Sequence, residues 1–180
     1  HLEIARSLIK SGRRAEGLAA YERLFLKHPD FLMVDGTIVN VRFEWIQAHD
    51  FSRNSPERIA LLEKLYRDPV FKANPGVANI GVHLGGAYLT SRHPGEEAHW
   101  KALVEQIEAF QTSGRVDPAI REMLRDNHQS ALMSYASCLD RREANVALRE
   151  VVAKLESTFP DDRGGMMARR LREKLEKGSR

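Results

Sequence analysis

The feature that most constrains this chain is its punctuation. Helix-ending pairs recur at short intervals: Ser11-Gly12, His28-Pro29, Asn54-Ser55-Pro56, Asp68-Pro69, Asn74-Pro75-Gly76, His93-Pro94-Gly95, Ser113-Gly114, Asp117-Pro118 and Phe159-Pro160. Between them, apolar residues return three and four positions apart, as in Leu61, Leu62, Leu65, in Leu103, Val104, Ile107, Phe110, and in Leu148, Val151, Val152, Leu155. Spacing of that kind places the apolar groups on one face of a helix. No stretch sustains strict alternation between turn signals, so no sheet is expected.

The breaks divide the chain into nine predicted helices: Leu2–Lys10, Ala15–His28, Val34–His49, Pro56–Arg67, Gly76–Thr90, Glu96–Gln111, Pro118–Leu139, Arg142–Thr158 and Gly165–Lys177. Two starts carry their own chemistry. Ser55-Pro56-Glu57 and Asp117-Pro118 each set a capping side chain before a proline whose missing N–H costs nothing at the first helical position. Val34 to Val41 is rich in β-branched residues, but the run continues into Phe43, Trp45 and Ile46 at helical spacing. The short connections make neighbours antiparallel, and a helix pair of this size cannot bury its apolar face alone. The expectation is an all-α chain, an α-solenoid of about four antiparallel hairpins plus a C-terminal capping helix. It would form one domain over residues 1–180.

The first thirty residues resemble a tetratricopeptide repeat. Leu8, Gly12, Glu16, Ala20, Tyr21, Leu24 and Pro29 follow the order and approximate spacing of that family, with Gly17 where alanine is usual. Leu84-Gly85-Gly86-Ala87-Tyr88 followed by Glu96-Glu97-Ala98 is similar to a second copy. Trp45 before His49-Asp50-Phe51 and Tyr135 before Glu143-Ala144 are degenerate versions. The resemblance implies a superhelical stack whose concave groove holds a protein or peptide. Carried over by helical offset, the groove set is Arg6, Lys10, Phe43, Gln47, Val82, Gly86, Thr90, Gln129 and Met133, while Trp45 and Tyr88 are packing residues.

Charge narrows the partner further. From Arg163 onward seven basic residues stand against Glu173 and Glu176, a net of +5; with +3 for the whole chain, the preceding residues carry −2. A body so near neutral argues against a nucleic-acid groove through it. Met167, Leu171 and Leu175 form a narrow apolar stripe on the last helix, fit for capping a stack. The alternative is a regulatory or nucleic-acid-binding module acting through that basic helix.

Several chemical readings give way to plainer ones. Gly81 to Gly86 lacks the lysine and Ser/Thr of a phosphate loop, so close helix packing is the better account. His93, Glu96, Glu97 and His99 are near in sequence, but His93 precedes a proline and glutamates are expected at a helix start, so no metal is expected. Cys138 and His128 are ten residues apart, almost three helical turns. Asp161-Asp162 reads as a helix cap. No catalytic constellation or cofactor site is expected, and one cysteine excludes an intramolecular disulfide.

No apolar run approaches the roughly 20 residues of a membrane helix, and no basic-then-apolar leader opens the chain, so no transmembrane segment is expected within it. His1 is followed at once by Leu2, Ile4, Ala5 and Leu8 in helical register, which reads as a segment of a longer protein.

Overall fold

The computed structural model describes residues 1–28, 41–49, 51–52, 55–114 and 116–177. Among these residues every regular element is helical and no strand occurs. The described residues form ten helices: α1 (Leu2–Lys10), α2 (Arg14–Lys27), α3 (Val41–Ala48), α4 (Pro56–Arg67), α5 (Pro69–Lys72), α6 (Val77–Ser91), α7 (Glu96–Thr112), α8 (Pro118–Arg141), α9 (Asn145–Thr158) and α10 (Arg163–Lys177). The expected start at Val34, and residues 34–40 with it, lie outside the described residues.

Contacts divide the chain into two compact units, His1–Ser91 and Arg92–Arg180. In the first, α2 packs on α1 and α3, and α4 packs on α3 and α6. Leu2 and Ala5 of α1 bury against Ala20, Tyr21 and Leu24 of α2, with Val41 of α3 in the same cluster. Gly17 explains how closely α1 and α2 approach. A Cβ there would stand 2.6 Å from Ile9 Cδ1 and 3.1 Å from the carbonyl oxygen of Ala5. In the second unit α8 is central, packing on α7, α9 and α10 around Trp100, Leu103, Ile107, Leu124, Leu132, Leu148, Leu155 and Phe159. Each such side chain taken wholly from water contributes about 1.5–3 kcal/mol. The predicted packing residue Tyr88 is buried, whereas Trp45 is half-buried against the first unit's core.

The helix ends follow local chemistry. Ser55 Oγ accepts the Arg58 amide at 3.2 Å, with Pro56 in the first turn, as the sequence predicts. At the end of α1, Gly12 takes φ +81°, its amide bonding Ile9 O at 3.1 Å and that of Arg13 bonding Leu8 O at 2.9 Å. This is a Schellman closure. The end of α8 closes by the same pair of bonds, Glu143 N to Asp140 O and Ala144 N to Leu139 O, but Glu143 occupies the left-handed position at φ +56°. That turn moves the start of α9 to Asn145 from the expected Arg142. Asp68-Pro69 does not simply end α4; it opens the single turn of α5, held because Phe71 is 2% exposed.

Candidate functional site

A concavity of about 540 Å³ in the first unit is built from three helices contributing the same spacing. Glu22, Phe25 and Leu26 come from α2, Arg42, Trp45 and Ile46 from α3, and Leu61, Lys64 and Leu65 from α4, with Asp68 just beyond. Residues at i, i+3 and i+4 share one helix face, so each helix turns one stripe into the groove. Ile46 and Leu65 belong to the core beneath it. Leu26, which lines it, is 83% exposed.

Aromatic contacts hold the walls. Trp45 meets Phe25 edge-on with centroids 6.0 Å apart, and Arg42 lies over Phe25 at 5.0 Å and Phe71 at 5.6 Å. His49 closes the end of α3, edge-on to Trp45 and stacked on Phe51, each at 4.8 Å. Burial pushes its imidazole down, against a smaller upward pull from Glu22. The indole N–H of Trp45 and Nε2 of His49 are buried with no hydrogen-bond partner among the described residues. Glu22 and Asp68 set carboxylates, and Arg42 and Lys64 set cations, around an apolar floor.

None of the nine residues expected to line a groove lines this one. Arg6 gives Nε and Nη2 to the Glu44 carboxylate at 3.0 and 2.6 Å and Nη1 to Glu3 at 2.9 Å. Tyr21 adds its hydroxyl to Glu44 at 3.1 Å, and burial, reinforced by Glu44, pushes that phenol up to about 12. Phe43 is 6% exposed and its ring lies 4.6 Å from that of His83. Lys10 and Gln47 are exposed. Val82 and Gly86 are half-buried, and the exposed Thr90 donates its hydroxyl to the carbonyls of Gly86 and Ala87 at 3.1 Å. Gln129 and Met133 are half-buried in the second unit, where Gln129 Nε2 approaches Gly164 at the start of α10. The groove's own signal was in the sequence as three i, i+3, i+4 stripes, which only tertiary packing could bring together.

The other chemistry-bearing groups are engaged elsewhere. His93 Nδ1 accepts the Gly95 amide at 3.1 Å, and buried Glu96 accepts from Arg141 at 2.6 Å and Trp100 Nε1 at 3.4 Å. Glu97 pairs with Arg142 at 3.3 Å, and His99 lies edge-on to Trp100. No trio of His, Cys, Asp or Glu among the described residues is arranged for a metal ion. Cys138 is fully buried, and burial pushes its thiol up. Asp162 carries its carboxylate to Arg125. On α10, Lys174 bonds Asp140 at 2.7 and 2.8 Å, Arg172 bonds Glu156 at 3.0 Å and Arg169 bonds the Pro160 carbonyl at 3.0 Å, so the basic helix is partly answered by its own unit. No helix among the described residues is long and apolar enough to cross a membrane. No protein-family model, curated protein sequence or solved structure matches the chain.

Proposed function

We propose that this chain is a tetratricopeptide-like solenoid module that binds a helical segment of another protein in the α2–α3–α4 groove and performs no chemistry of its own. The observation that carries the reading is the convergence of three stripes on a 540 Å³ groove beside an 83% exposed Leu26. A partner helix with apolar residues at i, i+3 or i+4 and i+7 suits such a groove, because each of its anchors would meet a stripe of matching pitch. Covering Leu26 alone contributes about 1.5–2 kcal/mol. Phe25 and Trp45 supply rigid contact area, and the mixed charges of Glu22, Lys64 and Asp68 give a polar rim that fixes orientation.

The solenoid part of the reading rests on smaller signs: the close α1–α2 approach at Gly17, the buried Tyr21 and Leu24, and the repeated Schellman closure at Gly12 and Glu143. The basic-helix alternative is weakened by the acids that already hold Arg172 and Lys174. Ala168, Leu171 and Leu175 of α10 are themselves buried, so removing α10 would uncover the faces of α8 and α9 they pack on, and deletion tests stability before it tests binding.

A display library of random peptides selected against the full chain provides the probe. The selected peptides are expected to share helix-spaced apolar residues and to lose at least about tenfold in affinity, roughly 1.4 kcal/mol, on the Leu26→Asp variant. The double variant Arg170→Gln, Lys177→Gln should bind as the parent does. Peptides that bind Leu26→Asp unchanged, but lose affinity to the double variant or steeply with salt, would replace this reading with the basic helix.

A further inference from the structure

His128 on α8 is the most deeply buried histidine of the second unit, 3% exposed, and it faces α7 and the end of α9. Its Nε2 is 3.3 Å from Oε1 of Glu108 on α7. The same carboxylate receives Lys154 of α9 at 2.8 Å on Oε1 and 3.0 Å on Oε2. The imidazole ring lies edge-on to Phe159, which ends α9, at 5.6 Å. Arg125, one turn earlier on α8, covers Phe159 at 5.6 Å and pairs with Asp162 ahead of α10. Nδ1 is buried with no partner among the described residues.

That geometry specifies the tautomer of the neutral ring. A carboxylate only accepts, so Nε2 carries the hydrogen given to Glu108 and Nδ1 keeps its lone pair. A second proton would have to enter at Nδ1, where no acceptor waits. It would also add a cation beside Lys154, leaving two cations to share Glu108. The charged groups around the ring are then Glu108 from α7, Lys154 from α9, and the Arg125–Asp162 pair from α8 and the turn before α10.

We propose that Glu108, His128 and Lys154 form a proton-sensitive clamp joining α7, α8 and α9, which holds while the imidazole is neutral and loosens the second unit in mildly acidic surroundings. Burial pushes His128 down, and this outweighs the upward pull of Glu108. The sign follows from linkage. An unfolded histidine takes its proton near 6.5, and the native site resists that proton. Stability is therefore complete above about pH 6.5, declines below it, and levels off once the pH has passed the lower native value.

The experiment is hydrogen exchange by mass spectrometry on the full chain at pH 7.5 and pH 5.0, corrected for intrinsic rates, comparing the parent with His128→Gln. Peptides from α7 to α9 are expected to show an opening constant that rises at pH 5.0. The share due to one histidine has a ceiling of about 30-fold, set by an unfolded value near 6.5. That share should vanish in His128→Gln, while α1 and α2 respond alike in both proteins. Equal acid responses in parent and variant would overturn the clamp. If His128→Gln does not fold, imidazole NMR titrations of the parent and Glu108→Gln decide. A parent midpoint below 6.5 that falls further in Glu108→Gln supports the clamp, and a midpoint at or above 6.5, or one that Glu108→Gln leaves unmoved, overturns it.

Discussion

Replacing Tyr88 separates what its ring does from what its hydroxyl does. The side chain is 4% exposed on α6, and the hydroxyl donates to Glu63 Oε1 on α4, so it joins the two helices by both packing and a hydrogen bond. Tyr88→Ala removes the ring and leaves a cavity, at a cost of roughly 3–5 kcal/mol. Tyr88→Phe removes only the bond. A hydrogen bond to a charged group is worth about 1.5–3 kcal/mol. Glu63 is 24% exposed and has Arg67 at 3.7 Å, so water and the guanidinium recover part of the loss. The Phe variant should then cost about 1 kcal/mol. Hydrogen exchange resolved by peptide is the assay, with α4 and α6 losing protection and α8 and α9 serving as the control unit. A Phe variant as unstable as the Ala variant would refute the packing argument, as would an Ala variant whose α4 and α6 are unchanged. Alkaline pH supplies an independent check. Burial and Glu63 push the Tyr88 phenol up to about 12. A raised phenol means that the native state keeps the proton longer than the unfolded chain does. Its share of stability is present below about pH 10, is lost as the pH rises to about 12, and should be missing from Tyr88→Phe.

Two further outcomes concern backbone positions. Glu143→Gly should raise the melting temperature, through a gain of about 0.5–1 kcal/mol, since a left-handed residue with a Cβ is strained and glycine's greater unfolded-state freedom cancels only part of the relief. A lowered melting temperature would show that Glu143 contributes contacts outweighing its strain. The two Gly-Gly pairs should behave oppositely. A Cβ at Gly165 falls 2.4 and 2.5 Å from the carbonyl oxygens of Pro160 and Phe159, so Gly165→Ala must shift backbone and cost about 1–3 kcal/mol or more. At Gly86 a Cβ meets nothing within 4 Å, so Gly86→Ala should stabilise α6 by about 0.5–1 kcal/mol. Equal melting shifts for the two alanine variants would refute this contrast.

Local chemistry was legible along the chain. Ser55-Pro56 announces the start of α4 and Ser11-Gly12 the end of α1, because capping and left-handed closure depend on a few neighbouring residues. The three- and four-residue apolar spacing sets helix identity for the same reason, and Leu61 to Leu65 or Leu148 to Leu155 need no partner to reveal their period. Glu143 shows where locality ends: nothing in Arg142-Glu143-Ala144 advertises a left-handed turn, and the closure persists because α8 and α9 must both reach the core. Arg6 shows the same limit for a site residue. Its offset on α1 suggested a groove, but whether it meets solvent or Glu44 depends on how α3 docks, thirty-eight positions later in the chain. The α2–α3–α4 groove was written as three separate stripes whose meeting depends on interhelix packing, and that packing is a sum of many small contacts no single segment encodes. Helical period is a property of consecutive residues, so the sequence alone determined it; neighbours across the fold are chosen by collective burial, so only the tertiary structure decided which side chains are spent on the core and which remain to meet a partner.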